Sequence, residues 1–268
     1  MTYLSICLFS SLVILTGCID NVSSVNNKEN ITVRENITQE GIIIGDLGGV
    51  PVEMPRDSIR LVEYNGDPDW GESFEGAVPE RTYDSKISSF GFDVRYTDGA
   101  LYDGIVGKYA DEYEAQKNLS DSPWVSVSVH SGNRYHGKGA VNRIGDGTIN
   151  AMPDEHPVFT YAKLPNTQFG LQVYAPPGID LKTNTPWRED EDAEDMFIQR
   201  NDNGIITTYI ECSNRDVERP PCSHYFDLEP DMGLYVYVSY SRYVLKDWHR
   251  IEQVVREALL GFRKNNTE

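Results

Sequence analysis

The chain has 268 residues, 39% of them hydrophobic, which suffices for one large domain or two small ones. Its 42 acidic and 24 basic residues leave a formal charge of −18. A surface this acidic excludes nucleic acid and anionic lipid as electrostatic partners, since both recruit Lys and Arg. It suits a basic protein partner, or serves solubility alone.

The N-terminus opens on an apolar run that includes Leu4, Ile6, Leu8, Phe9, Leu12, Val13, Ile14 and Leu15. The run is shorter than the roughly 20 apolar residues a bilayer span requires, and it has the length of a signal-peptide apolar region. It closes on Leu15-Thr16-Gly17-Cys18, which resembles the bacterial lipobox. In that family the cysteine receives a diacylglyceryl group and becomes the first residue of the mature protein. The expectation is therefore a lipoprotein signal peptide over residues 1–17 and a lipid anchor at Cys18. No Lys or Arg precedes the apolar run, which departs from the usual pattern. The alternative is an ordinary signal peptide in which Cys18 is incidental. An anchored protein sits on the periplasmic face of a bacterial membrane without crossing it. Ile19 stands where Asp often signals inner-membrane retention, so the outer membrane is favoured over the inner.

Residues 18–40 are rich in Asn, Ser and charge, and bury too little apolar surface to order themselves. They read as a lipidated flexible tether with a span of about 25 Å. Residues 41–268 read as a single globular domain. Strands joined at Gly48-Gly49 form its first hairpin, followed by a strand at Leu61-Val62-Glu63-Tyr64. Residues 65–84 form a long surface loop. Phe90, Phe92, Val94 and Tyr96 alternate along a half-buried strand. A short helix is expected over 108–119. Trp124-Val-Ser-Val-Ser-Val-His130 alternates again, and residues 131–160 read as mostly irregular. Further strands are expected at 169–174, at 196–200 and 205–212 around the Asn203-Gly204 turn, at 222–228 and at 234–240. Leu245, Trp248, Ile251, Val255, Leu259 and Phe262 then recur at helical spacing. The predicted class is α+β, a mostly antiparallel β-sheet with a C-terminal amphipathic helix packed on it.

With Cys7 in the signal peptide and Cys18 lipidated, Cys212 and Cys222 remain. In an oxidising compartment they are expected to form a disulfide, whose short loop contributes on the order of 3 kcal/mol. A metal site there is disfavoured, because only His224 is near and no CxxC occurs. Among the five histidines no HExxH appears, and His130 and His136 merely flank a Gly-containing loop. No nucleophile elbow, phosphate loop or dinucleotide fingerprint is present. Asn65, Asp67 and Asp69 mimic the start of a calcium loop, but Trp70 stands where Gly is needed and Gly76 where Glu is needed. No metal or cofactor is expected, and no enzyme activity, although scattered carboxylates leave a hydrolase as an alternative.

Glu189, Asp190, Glu191, Asp192, Glu194 and Asp195 form the densest charge run. It is either a solvated loop or a surface for a basic partner. Trp70 and Trp187, with acidic residues nearby, are further candidate contacts, as are the loop tyrosines Tyr83, Tyr135 and Tyr161.

Several phrases together carry a resemblance: Gly48-Gly-Val-Pro-Val-Glu-Met-Pro, Val62-Glu-Tyr-Asn-Gly-Asp-Pro-Asp-Trp-Gly-Glu, Arg81-Thr-Tyr-Asp-Ser-Lys, Ser89-Phe-Gly-Phe-Asp-Val-Arg-Tyr, Leu228-Glu-Pro-Asp-Met and Tyr237-Val-Ser-Tyr-Ser. They resemble a family of bacterial lipoproteins often encoded beside type VI secretion phospholipase effectors. The resemblance covers about residues 45–262. It implies a non-enzymatic immunity protein that binds an incoming secreted toxin in the periplasm and blocks it. The alternative from a different class is an envelope lipoprotein with a structural or assembly role.

Overall fold

The computed structural model describes residues 41–69, 71–151 and 156–264. Cys18, the expected signal peptide and tether of residues 1–40, and Trp70 lie outside the described residues.

The strands are β1 (Ile42–Leu47), β2 (Val50–Pro55), β3 (Arg60–Tyr64), β4 (Ile87–Arg95), β5 (Trp124–His130), β6 (Ala162–Gln168) and β7 (Leu171–Ala175). They continue through the two-residue pieces β8 (Ile179–Asp180) and β9 (Thr185–Pro186), then β10 (Glu194–Arg200), β11 (Ile206–Ser213), β12 (Pro221–Asp227) and β13 (Tyr235–Ser241). The helices are α1 (Ala110–Gln116), α2 (Ala140–Ile149) and α3 (Trp248–Gly261). Nine strands form one sheet in the order β3-β4-β5-β13-β12-β11-β10-β7-β6. Every neighbouring pair in it is antiparallel. The protein is thus α+β, with its C-terminal helix packed on a mostly antiparallel sheet. Among the described residues no helix is long and apolar enough to cross a membrane.

Period-two alternation divides the sheet into two unlike faces. One register row runs Phe92, Val127, Val238, His224, Ile210, Phe197 and Val173 across seven strands. This inner face is covered by α3 and by the β1–β2 hairpin, and the apolar members of the row belong to one core. Trp248, Ile251, Val254, Val255 and Leu259 are the buried stripe of α3. Each side chain fully withdrawn from water contributes roughly 1.5–3 kcal/mol. Phe262 ends the stripe against Phe92 at 5.8 Å, edge to face, and its carbonyl accepts from the Glu53 amide at 2.8 Å. The hairpin turn docks as well. Gly48 has φ +62°, and a Cβ there would lie 2.6 Å from the Gly233 amide nitrogen, so only glycine fits.

Five local expectations need correction. Residues 131–160 are not mostly irregular, because α2 occupies 140–149. Its Gly145 lets the helix axis approach β11: a Cβ would meet Ile206 Cδ1 at 3.1 Å and Tyr209 Cγ at 3.3 Å. A glycine that reads locally as a helix breaker is here a packing residue. The strand expected at 169–174 begins later, since Phe169 and Gly170 (φ +52° and +83°) turn the chain from β6 into β7. β6 itself, with Leu164 and Ala162 as its apolar residues, carries too weak an alternation to be read. β4 is covered on both sides, because Asp93 on its polar face is buried beneath Arg60 and Tyr113. The C-terminal helix starts at Trp248 after a 3-10 turn over Arg242–Asp247, and α1 is shorter than 108–119.

Cys212 and Cys222 are directly opposed in the β11–β12 ladder and joined as a disulfide, both fully buried. Replacing both cysteines by Ala is expected to lower stability by about 2–3 kcal/mol, the closure entropy of a loop this short. Urea unfolding monitored by tryptophan fluorescence checks this; an unchanged midpoint would show that the ladder alone holds the two strands.

Candidate functional site

The acidic run does not behave as one surface. Glu189, Glu191 and Asp192 are exposed and Asp190 is half-buried, ahead of β10. Asp192 pairs with Arg215 at 2.8 Å. Asp195, on β10, is completely buried. Its carboxylate accepts from Arg188 at 2.8 Å through both oxygens, from Asn214 at 3.2 Å and from Arg242. Burial opposes its ionisation, but the two guanidiniums outweigh this and hold it below the usual carboxylate range. Asp195 is therefore fully buried, with its carboxylate taken up by Arg188, Arg242 and Asn214. With Asp195 at its floor, Glu189, Glu191, Arg188, Arg215, Asp216 and Arg242 line a cleft of about 900 Å³. Trp187 is half-buried, with His156 at 6.2 Å between ring centroids.

Two of the loop tyrosines, Tyr83 and Tyr135, are similarly engaged. Tyr83 donates to Glu53 at 2.6 Å and Tyr135 to Glu229 at 2.6 Å. In the calcium-like loop, Asp67 is held by buried Arg81, which also lies 4.2 Å over the Tyr64 ring. His130 and His136 approach to 5.8 Å between ring centroids, against Tyr235. Among the described residues no three His, Cys, Asp or Glu side chains converge as a metal would need.

Local sequence signals did not single out two groupings. The first is interior. His224 interrupts the apolar row of the inner face and is fully buried. Its Nε2 lies 3.2 Å from Glu252 on α3, and its Nδ1 lies 3.2 Å from the Tyr240 hydroxyl. Thr208 donates to Glu252 at 2.8 Å and Arg256 at 2.9 Å. Burial would raise Glu252, yet His224, Arg256 and Thr208 together bring it down to about 2. This network ties α3 to three strands in a place no substrate reaches.

The second grouping is the outer face of the sheet. One register row there runs Glu211, Ser223, Ser239, Ser126 and Asp93. The next runs Tyr209, Tyr225, Tyr237, Ser128 and Gly91. At one side α2 covers Tyr209 and Tyr235 with Ala140, Val141 and Ile149. At the other, Arg60 and Tyr113 close over Asp93, and Arg60 donates to Ser126 at 2.8 Å. Between these flanks Ser223, Tyr225, Tyr237, Ser239, Ser126 and Ser128 stay half-exposed. Tyr225 stacks on Tyr209 at 5.6 Å and on Tyr237 at 5.2 Å. Tyr209 donates to Glu211. Burial, with the Tyr209 and Tyr225 hydroxyls working against it, raises Glu211. Burial and the neighbouring Glu211 raise Glu194. Burial, with Glu211 nearby, also pushes Tyr225 up to about 12, so its hydroxyl stays a donor at neutral pH. Alternation in Tyr235-Val-Tyr-Val-Ser and Val125-Ser-Val-Ser-Val was the available signal. It marks a polar face on each strand but not which strands lie side by side.

No family model matches the chain, and no curated protein does. Among solved structures, it superposes on Smlt3025, an immunity protein of the Stenotrophomonas maltophilia type IV secretion system, with a TM-score of 0.53 and 17% identity. The match covers 86% of this chain and 98% of that one. The chain shares the fold of a secretion-system immunity protein. A second match, the Neisseria meningitidis iron-regulated outer membrane lipoprotein FrpD, has a TM-score of 0.43 at 12% identity, covering 84% of this chain and 94% of that one.

Two stability outcomes follow from the geometry. Asp195→Ala strands two guanidiniums and is expected to lower stability by about 3 kcal/mol, whereas Glu191→Gln stays within about 0.5 kcal/mol. Denaturant melts compare them; equal effects would return Asp195 to the surface. Glu252, lowered from its ordinary 4.5 to about 2, contributes stability that is present above pH 4.5 and lost as pH falls through 2. Glu252→Gln should flatten that acid limb in pH-dependent melts, and an unaltered limb would assign the acid sensitivity elsewhere.

Proposed function

We propose that this chain is a membrane-tethered periplasmic immunity lipoprotein. Cys18 carries the lipid, preferentially at the outer membrane, and the domain binds a secreted effector, a type VI phospholipase in the specific form of the proposal. It acts by occupying the effector and performs no chemistry of its own. The observation that carries this reading is the fold shared with Smlt3025 over nearly the whole of that chain. The lipobox-like Leu15-Thr16-Gly17-Cys18 supports the location. A stoichiometric inhibitor needs a stable surface and no nucleophile, which agrees with a sheet whose one polar face is left half-exposed.

The test is co-expression. A phospholipase encoded beside this gene, directed to the periplasm of a susceptible host, should kill cells, and the full chain should restore growth. Killing that persists with the chain present would overturn the reading. A growth defect on deleting the gene in a strain lacking the effector would indicate an envelope role instead.

A further inference from the structure

Four carboxylates withdrawn from solvent in this domain are paired with arginines. Asp67 has Arg81, Asp93 has Arg60, Asp195 has Arg188 and Arg242, and Glu252 has Arg256. Glu194 and Glu211, like the half-buried Asp227, form no ion pair with Lys or Arg among the described residues; Arg215 acts on Glu194 only from a distance, and the two glutamates lie half-buried on adjacent strands. Beside them lies the half-exposed patch of Tyr225, Tyr237, Ser223 and Ser239. We propose that this open face of the sheet is a docking surface for a basic protein segment, with a Lys or Arg side chain seated against Glu194 and Glu211 and the segment lying across Tyr225 and Tyr237. Only the statement that the segment belongs to an effector rests on the function proposed above.

Three features favour this occupant. Tyrosine and serine together are the chemistry of protein-binding loops in antibodies: tyrosine offers wide contact area with two rotatable bonds, and serine offers adaptable hydrogen bonds. Here both are held on a sheet, so little ordering is left for binding to impose. A second cation of the segment would meet the Tyr237 ring, which has Tyr225 on one side and only Ser128 on the other, adding a cation–π attraction of about 0.5–2 kcal/mol. Finally, the charge of −18 repels nucleic acid and anionic lipid from the same face, which leaves a cationic protein as the complementary surface. The exposed acidic residues of the 189–192 loop lead directly into Glu194 and would steer such a partner inward.

The probe is an acetylated hexa-arginine peptide titrated into the full chain at low salt, followed by calorimetry. A −18 protein attracts such a peptide everywhere, so the comparison is between matched variants. Glu194→Gln with Glu211→Gln is expected to weaken binding by about tenfold or more. Glu189→Gln with Glu191→Gln removes the same charge from the exposed loop and is expected to change binding by less than about twofold. Neither side chain makes an ion pair among the described residues, and glutamine keeps an oxygen for the Tyr209 hydroxyl, so the glutamines should be tolerated by the fold, and melting points verify it. Tyr237→Ser, which alters no charge, should weaken binding about threefold. Equal losses in the two double variants, or full affinity in folded Tyr237→Ser, would overturn the docking surface. The two proposals also separate. Lost selectivity with intact protection in the co-expression assay rejects this face and leaves the immunity reading standing. Retained selectivity without protection does the reverse.

Discussion

Everything in this domain depends on a nine-stranded antiparallel sheet being sealed on one face by a helix and a hairpin. An antiparallel sheet of this width needs only one buried face, because alternation sends the other set of side chains outward. Sealing that face consumes α3, the β1–β2 hairpin and the aliphatic half of every central strand. It also tolerates polar residues only where they are fully paired. His224 sits mid-row in the core because Glu252, Tyr240, Thr208 and Arg256 surround it, so the helix is fixed by hydrogen bonds as well as by apolar area.

The opposite face follows different rules. Its flanks are closed, by α2 over Tyr209 and by Arg60 with Tyr113 over Asp93, while its middle stays half-exposed. The acidity of the chain is likewise divided by environment. Carboxylates beneath guanidiniums serve the fold, those on the 189–192 loop are mostly exposed, with Asp192 paired to Arg215, and Glu194 and Glu211 are half-buried without an ion pair among the described residues. A single net charge conceals three physically different populations.

Much of the fold was legible because its signals are local. The Gly48-Gly49 and Asn203-Gly204 turns, the alternation around Val125 and Val236 and the stripe on α3 each need only a few neighbouring residues to be read. The disulfide was legible because few cysteines remained to choose from. α2 was hidden, since Gly145 and Gly147 look unhelical until β11 is seen to press against Gly145. β6 was hidden because it is an edge strand with mostly exposed side chains. The candidate site was less legible still. The acidic run read as continuous, and nothing local distinguishes Asp195 from Asp192. The difference arises because Asp195 lies on β10 opposite Cys212, facing Arg242 from beyond β13.

The sequence alone determined the class of the fold, the main turns, the C-terminal helix, the Cys212–Cys222 pairing and the net charge, all of which depend on short-range pattern or composition. Only the tertiary structure decided which side chains share a face. Tyr225 meets Tyr237, and Glu211 meets Ser223, through strand pairing that no single strand encodes. Burial then separates carboxylates that look alike in sequence, because ionisation depends on the desolvation and the cations that the surrounding fold supplies.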